Sequence, residues 1–108
     1  MKMAVDKPSG NSETRVSEVD YDYPDATAGM SVMITTNRSI HVRIMDDENY
    51  RLYRDDLDCR AFQGWVTTSP YRFKIPRDAH WHVVVNPYTV NGLAEFTVRL
   101  MHDEVLSD

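Results

Sequence analysis

The chain has 108 residues, an apolar fraction of 42%, a charged fraction of 27% and a net charge of −5 at pH 7. This length fits one domain, and no apolar run approaches the ~20 residues of a membrane-spanning helix. The net negative charge argues against general nucleic-acid binding, and the single cysteine, Cys59, excludes an internal disulfide. The first residues also lack the apolar stretch of a secretory signal. We therefore expect a cytoplasmic protein without a cofactor.

The chain divides by composition into three parts. Residues 1–17 contain Pro8, Gly10 and only isolated apolar residues, so they cannot bury enough surface to offset the entropy of ordering. They are predicted to be a disordered N-terminal lead. Residues 18–102 are predicted to form a single β domain, and residues 103–108 a short acidic tail.

The β domain is predicted from alternating apolar and polar residues, which is the period of a half-buried strand. Such alternation begins at residues 19–23, where Pro24 is predicted to end the strand. Asn37 and Arg38 are typical of a tight hairpin turn between the strands on either side. Further alternation covers residues 40–45, 71–75, 80–85 and 94–100. Six to seven strands at this spacing predict an all-β fold, a small antiparallel sandwich or barrel.

One segment, at about residues 46–54, has the pattern of a short helix. Asp46 has the residue type of an N-cap, and two acids follow it in the first turn. Tyr50 and Tyr53 are three residues apart and would share a face. We expect one or two helical turns over one end of the β structure.

The stretch of roughly residues 40–86 resembles a bacterial family known as domain of unknown function 1883. The matching segments are His41-Val-Arg-Ile-Met-Asp46, Asn49-Tyr-Arg-Leu-Tyr53, Ser69-Pro70 and His80-Trp-His-Val-Val-Val-Asn86, of which the last is the most specific. The resemblance implies an all-β domain, sometimes joined to TIR domains, with no established activity. It therefore implies no catalytic residues, and it suits an accessory or sensory module.

His80 and His82 are two residues apart on a predicted strand, so both point to the same face. Such a pair can bind a transition metal, with His41 or His102 as a third ligand. No carboxylate follows on the same strand face, so we favour hydrogen bonds from both imidazoles to loop or cross-strand neighbours. We predict no metal site, with this pair as a minor alternative. The acids at residues 46–49 lack the spacing of a calcium loop.

A second candidate site is a cationic face. If the apolar residues of the strands point inward, several cations and imidazoles point outward, where they could grip a phosphate or carboxylate. Two tyrosines of the short helix could stack on a base or ring. The predicted ligand-binding residues are Arg43, Arg72, Lys74, His80, His82, Arg99, Tyr50 and Tyr53.

Three functional classes remain open from the sequence. The favoured one is a non-catalytic binding or protein-interaction module that docks a protein partner or associates with itself. Exposed aromatic residues would make such contacts, and the candidates are Tyr21, Tyr23, Trp65 and Tyr88. The alternatives are a sensor for a small anionic, nucleotide-like ligand and a metal-dependent enzyme that uses the histidine pair. No catalytic residue is predicted, because Cys59 lies among acids that disfavour a thiolate and Ser69 lacks a nucleophile-elbow motif.

Overall fold

The structure is a computed structural model that describes residues 18–102. The predicted disordered lead, residues 1–17, and the predicted acidic tail, residues 103–108, lie outside the described residues. No helix in the described range is long and apolar enough to cross a membrane. The elements in chain order are β1 (Val19–Ala26), β2 (Ser31–Thr36), β3 (Ile40–Asp46), α1 (Asp47–Arg54), β4 (Phe62–Val66), β5 (Tyr71–Lys74), β6 (Ala79–Asn86), β7 (Tyr88–Thr89), β8 (Gly92–Leu93) and β9 (Phe96–Met101).

The strands form two main antiparallel sheets, which we call the four-stranded and the three-stranded sheet. The four-stranded sheet has the order β1-β6-β3-β4, and the three-stranded sheet has the order β5-β2-β9. The short strands β7 and β8 pair only with each other. The predicted fold class, a small antiparallel all-β sandwich or barrel with one short helix, is confirmed, and of its two forms the structure is a sandwich.

The core is built from the alternating apolar residues of both sheets. On β2 these are Val32 and Ile34, and on the central strand β6 they are Trp81, Val83 and Val85, all of which are buried. Partly buried side chains from β1, β5 and β9 complete the inner layer. This arrangement follows from the two-residue period, because a one-residue shift would turn every apolar side chain toward solvent.

A second, smaller cluster lies on the outer face of the four-stranded sheet, beneath α1. It consists of Met45, Tyr53 and Val84, with Tyr50 packed against it. The helix begins where the sequence predicted, because the Asp46 side chain accepts a hydrogen bond from the Asn49 backbone N–H at 3.0 Å. The β6 strand is therefore buried on both faces, although an antiparallel sheet commonly leaves one face to solvent.

Two local predictions were wrong. Residues 37 and 38 do not close a hairpin, because β2 pairs with β5 and β9 while β3 pairs with β4 and β6. The chain instead crosses from one sheet to the other at this turn. Pro24 does not end β1, which continues to Ala26 through a register shift after Tyr23. A proline is tolerated there because β1 is an edge strand and the shift interrupts its pairing.

Candidate functional site

Imidazoles and carboxylates meet on the outer face of the four-stranded sheet, next to the start of α1. We call Asp22, Asp47, His80 and His82 the imidazole–carboxylate cluster. Asp22 on β1 lies directly opposite His82 on β6 in the antiparallel register, and Asp47 begins α1 above them. Residues from three elements, far apart in sequence, are brought together because β1 and α1 both contact β6.

The hydrogen bonds of the cluster join each imidazole to a carboxylate. His82 Nε2 lies 2.9 Å from Asp47 Oδ1, and His80 Nε2 contacts Asp22 Oδ1. The two imidazole rings stack with centroids 4.6 Å apart. Hydrogen bonding to His82 lowers the pKa of Asp47, which keeps that carboxylate ionised.

Tyr50 covers the buried member of the cluster. Its ring stacks on the His82 ring with centroids 3.8 Å apart and planes 9° apart. Its hydroxyl donates to Asp20 and accepts from Arg54 Nη1 at 3.1 Å. Burial and the Asp20 carboxylate raise the pKa of Tyr50, so its hydroxyl stays protonated and able to donate. These contacts fix the position of the His82 ring.

One atom of the cluster has no hydrogen-bond partner among residues 18–102. His82 Nδ1 is buried, and the side chain is only 5% exposed. The nearest acceptors are Asp20 Oδ1 at 3.7 Å and Asp22 Oδ1 at 3.9 Å, both beyond hydrogen-bond distance. The cluster thus presents carboxylates and a buried imidazole nitrogen toward a common point. Its chemistry suits a cation, and three residues (Asp22, His80 and His82) each offer a metal-ligating atom within 4.8 Å of the others.

The predicted cationic face is divided between the two sheets. Arg43 lies on β3 of the four-stranded sheet, where it forms an ion pair with Glu18 at 3.4 Å and lies over the Tyr53 ring. Tyr53 also donates to Glu18, at 2.6 Å. Arg43, Tyr50 and Tyr53 are therefore engaged in contacts beneath and around α1, and His80 and His82 face carboxylates.

The remaining predicted cations lie on the three-stranded sheet. Arg72 on β5 and Arg99 on β9 both pair with Met33 of β2, so they flank it on the same face. Lys74 lies two residues beyond Arg72 on β5 and is exposed. The structure brings these three together, apart from the other five predicted residues.

The predicted exposed aromatic residues also separate into two groups. Trp65 is 62% exposed, and Tyr88 is exposed as well. Tyr21 and Tyr23 instead pack against the core from β1, so their prediction as exposed residues was wrong. The alternation of β1 explains the error, because its acids occupy the solvent face and its tyrosines the inner face.

Strand β4 forms one edge of the four-stranded sheet and carries no charged residue. Within residues 18–102 it pairs with β3 alone. Phe62 is 53% exposed, although its pairing with buried Ile44 places it on the core side of the sheet. Its ring contacts the ring of Phe73 on β5, with centroids 5.1 Å apart. The two sheets therefore meet here through one exposed aromatic side chain, Phe62, and one partly buried one, Phe73.

A cavity opens between β4 and β5 at Gly64. This glycine pairs with buried Val42, and a Cβ added to it would meet no atom within 4 Å. The cavity has a volume of about 520 Å³, and its lining includes Val42, Phe62, Tyr71 and Phe73. We call β4 and this cavity the open edge.

A larger cavity of about 840 Å³ lies on the other side of Phe62, between α1 and residues 58–61. Its lining includes Leu52, Cys59 and Arg77 but neither histidine of the imidazole–carboxylate cluster. The larger of these two cavities and the imidazole–carboxylate cluster are therefore separate features.

The sequence located the two histidines of the cluster but missed their carboxylates. Asp20 and Asp22 repeat with the same two-residue period as His80 and His82, which indicates one face of one strand. What the sequence did not reveal is that β1 and β6 are neighbours. From the sequence, Asp47 was interpreted only as an acid that stabilises the start of a helix. In the structure its carboxylate, in the first turn of α1, also contacts His82 on β6.

Comparison with known proteins adds a family. The family model described as domain of unknown function (DUF1883) matches residues 17–104. No curated protein and no solved structure matches the chain. Because the family model covers most of the chain, the protein belongs to the family of domain of unknown function 1883.

Proposed function

We propose that this protein is a protein-interaction module that binds an extended segment of a partner protein along the open edge. The observation that carries the proposal is an edge strand without charge or proline, next to a cavity at Gly64. No catalytic step is part of the proposal.

The backbone of β4 supplies the first reason for a strand-like occupant. An edge strand presents a row of N–H and C=O groups that another chain can pair with, and natural proteins usually block such edges. Pairing by strand addition gives affinity through the main chain, while pockets for alternate side chains give specificity. A small ligand would fill the cavity but leave the edge unpaired.

The cavity supplies the second reason. A strand paired with β4 would lie about 4.8 Å from it and would point every second side chain toward the core. Gly64 contributes no side chain there, so one apolar side chain of the partner would enter the cavity that Phe62 and Phe73 line. The partner segment is therefore expected to have apolar residues at alternate positions.

The anionic-ligand alternative has less support. Its predicted residues lie on two sheets, and Tyr50 and Tyr53 are packed within the protein. A site made only of Arg72, Lys74 and Arg99 would lack an aromatic partner from this set. We keep the binding of a small anion as a prediction that a thermal-shift screen checks.

The test uses selection from a displayed library of random peptides against the full chain. We expect enriched peptides with alternating apolar residues, and new protection of β4 amides from hydrogen exchange in their presence. Gly64→Leu fills the cavity and should weaken binding at least ~10-fold, equivalent to about 1.4 kcal/mol. Gln63→Leu is the matched control, because it adds the same side chain to the opposite face of β4 and should retain binding.

A second pair of variants controls for loss of exposed apolar surface. Phe62→Ser should weaken peptide binding, whereas Leu93→Ser, which removes a side chain of similar exposure (55%) on β8, should not. Binding that is indifferent to Gly64→Leu, or protection that appears away from β4, would refute the open edge as the binding site. A wild-type dimer that Gly64→Leu dissociates would identify the partner as a second copy.

A further inference from the structure

We propose that Asp22, His80 and His82 bind a divalent first-row transition metal ion such as Zn²⁺. This inference does not depend on the open edge, because β4 lies at the opposite edge of the four-stranded sheet from β1 and β6.

The first observation is the set of donor atoms. Two imidazoles and one carboxylate each offer an atom within 4.8 Å of the others. Imidazole nitrogen suits Zn²⁺, Ni²⁺, Co²⁺ and Fe²⁺, whereas Mg²⁺ and Ca²⁺ prefer sites made of oxygen alone. Metal–ligand bonds of about 2.0–2.1 Å place neighbouring donors roughly 3 Å apart. The distance of 3.9 Å between His82 Nδ1 and Asp22 Oδ1 therefore requires only a small rotation of the exposed aspartate.

The second observation is the unpartnered nitrogen of His82. Buried polar atoms in folded proteins almost always have a hydrogen-bond partner, yet His82 Nδ1 has none within the part of the chain that the structure describes. It faces Asp20 and Asp22 across 3.7 and 3.9 Å. A metal ion at this point would give the buried nitrogen a partner and would neutralise the carboxylates around it.

The third observation is that Asp47 contacts the other ring nitrogen of His82. Its Oδ1 lies 2.9 Å from Nε2, where a carboxylate oxygen accepts a hydrogen bond from the ring N–H. The lone pair is then on Nδ1, the atom that faces the cluster. A carboxylate behind a metal-ligating histidine is the usual arrangement in metal sites, because it fixes the ring and raises its basicity.

Asp47 can serve His80 in the same way. His80 Nε2 contacts Asp22, and His80 Nδ1 lies 3.6 Å from Asp47 Oδ1. Coordination at Nε2 would place the His80 proton on Nδ1, facing that carboxylate. The side chains of Asp22 and His80 are 58% and 35% exposed, so water can complete the coordination.

The experiment measures Zn²⁺ binding to the untagged full chain by competition with a chromophoric chelator. We expect one ion per chain, and an absorption band in the visible region when Co²⁺ replaces Zn²⁺. Asp22→Asn and His80→Gln should each weaken binding at least ~10-fold. Their matched controls are Asp25→Asn on the same strand and His102→Gln after β9, which should bind as the wild type does.

Two further measurements separate a metal site from a structural hydrogen-bond network. Asp47→Asn should weaken Zn²⁺ binding by about 10–100-fold, as loss of an outer carboxylate usually does, without changing the stoichiometry. The ¹⁵N resonance of His82 Nδ1 should shift when Zn²⁺ is added, even if Nε2 does not. The proposal is overturned if none of Zn²⁺, Co²⁺ and Ni²⁺ binds stoichiometrically, or if Asp22→Asn and Asp25→Asn bind equally well.

Discussion

The two edge strands of the four-stranded sheet are built in opposite ways. Strand β1 carries Asp20, Asp22 and Asp25, contains Pro24, and has a register shift after Tyr23. Charged side chains, proline and bulges are the devices by which natural edge strands prevent pairing with other chains. Strand β4 has none of them, since its five residues are uncharged and its register with β3 is regular.

Side-chain packing inside the sandwich also differs between the two edges. Beside β1, the Tyr21 ring meets the Phe96 ring edge-on at 6.4 Å, and both pack against the core. Beside β4, Phe62 and Phe73 leave the cavity at Gly64. The β1 edge is thus protected against pairing with other chains and has a filled interior, whereas the β4 edge has neither property. This contrast shows that the chain has the means to protect an edge, which supports a binding role for β4.

The largest expected effect compares a core aromatic residue, Trp81, with Phe62 at the open edge. Trp81 is 2% exposed, and its indole N–H donates to the Arg77 carbonyl at 3.0 Å. Trp81→Ala should lower the free energy of unfolding by about 3–5 kcal/mol. Phe62→Ala removes a ring that is more than half exposed and should cost about 1 kcal/mol or less. Urea denaturation measures both, and similar losses would show that Phe62 closes the sandwich rather than leaving it open.

The next effect concerns α1, which covers the outer face of the four-stranded sheet over β3 and β6. Asp46→Ala removes the N-cap of α1 and should cost about 1 kcal/mol near neutral pH. Burial raises the pKa of Asp46, but hydrogen bonds from Asn49 and Arg77 outweigh it and lower the pKa below its ordinary value. The stabilisation is therefore present above pH 3.8, the ordinary pKa, and is lost as the pH falls through the lower folded value.

The measurement is thermal unfolding of wild type and Asp46→Ala between neutral and strongly acidic pH. The difference in stability should shrink as the pH falls below 4. Asp46→Asn, which keeps an oxygen acceptor for the Asn49 N–H without the charge, should lie between the two. A difference that does not depend on pH would mean that the carboxylate charge contributes nothing to the cap.

The smallest effect probes the β4 side. His41 on β3 meets the Trp65 ring edge-on at 5.3 Å. Burial and the charge of Arg43 lower the pKa of His41 from its ordinary value of 6.5. The neutral form is favoured in the folded state, so His41 contributes stability above pH 6.5 that is lost as the pH falls through the lower folded value.

His41→Gln should therefore change stability little at pH 7.5, by about 0.5 kcal/mol or less. Between pH 7 and pH 5 the variant should lose less stability than the wild type does. The melting temperatures of both proteins across this range provide the measurement, and parallel curves would contradict the prediction.

The sequence predicted the positions of the strands and the helix better than it predicted which strands pair with each other. Local alternation was enough for most strands, and the helix followed from Asp46 and the acids after it. Sheet order was not predictable, because pairing depends on contacts between distant segments. The turn at residues 37 and 38 is typical of a hairpin, yet its Asn37 side chain accepts a hydrogen bond from Glu95 N–H, 58 residues away.

The same limit applied to the imidazole–carboxylate cluster. The histidines are local to one strand and were found, whereas Asp22 and Asp47 lie 58 and 35 residues from the imidazoles that they contact. The open edge was missed for another reason. Trp65 was a candidate because of its type, but only the sheet order reveals that β4 has one neighbour.

The sheet order also determines when the sandwich can form during synthesis. Strand β1 pairs with β6, and β2 pairs with β5 and β9. Neither β1 nor β2 can therefore pair until strands later in the chain have been synthesised. Among the longer strands of residues 18–102, β3 and β4 alone are consecutive in the chain and pair with each other. Folding dominated by such distant pairings is slow, commonly milliseconds to seconds. During synthesis the apolar faces of β1 and β2 would thus stay exposed until most of the domain has left the ribosome. In that period chaperones could bind these faces.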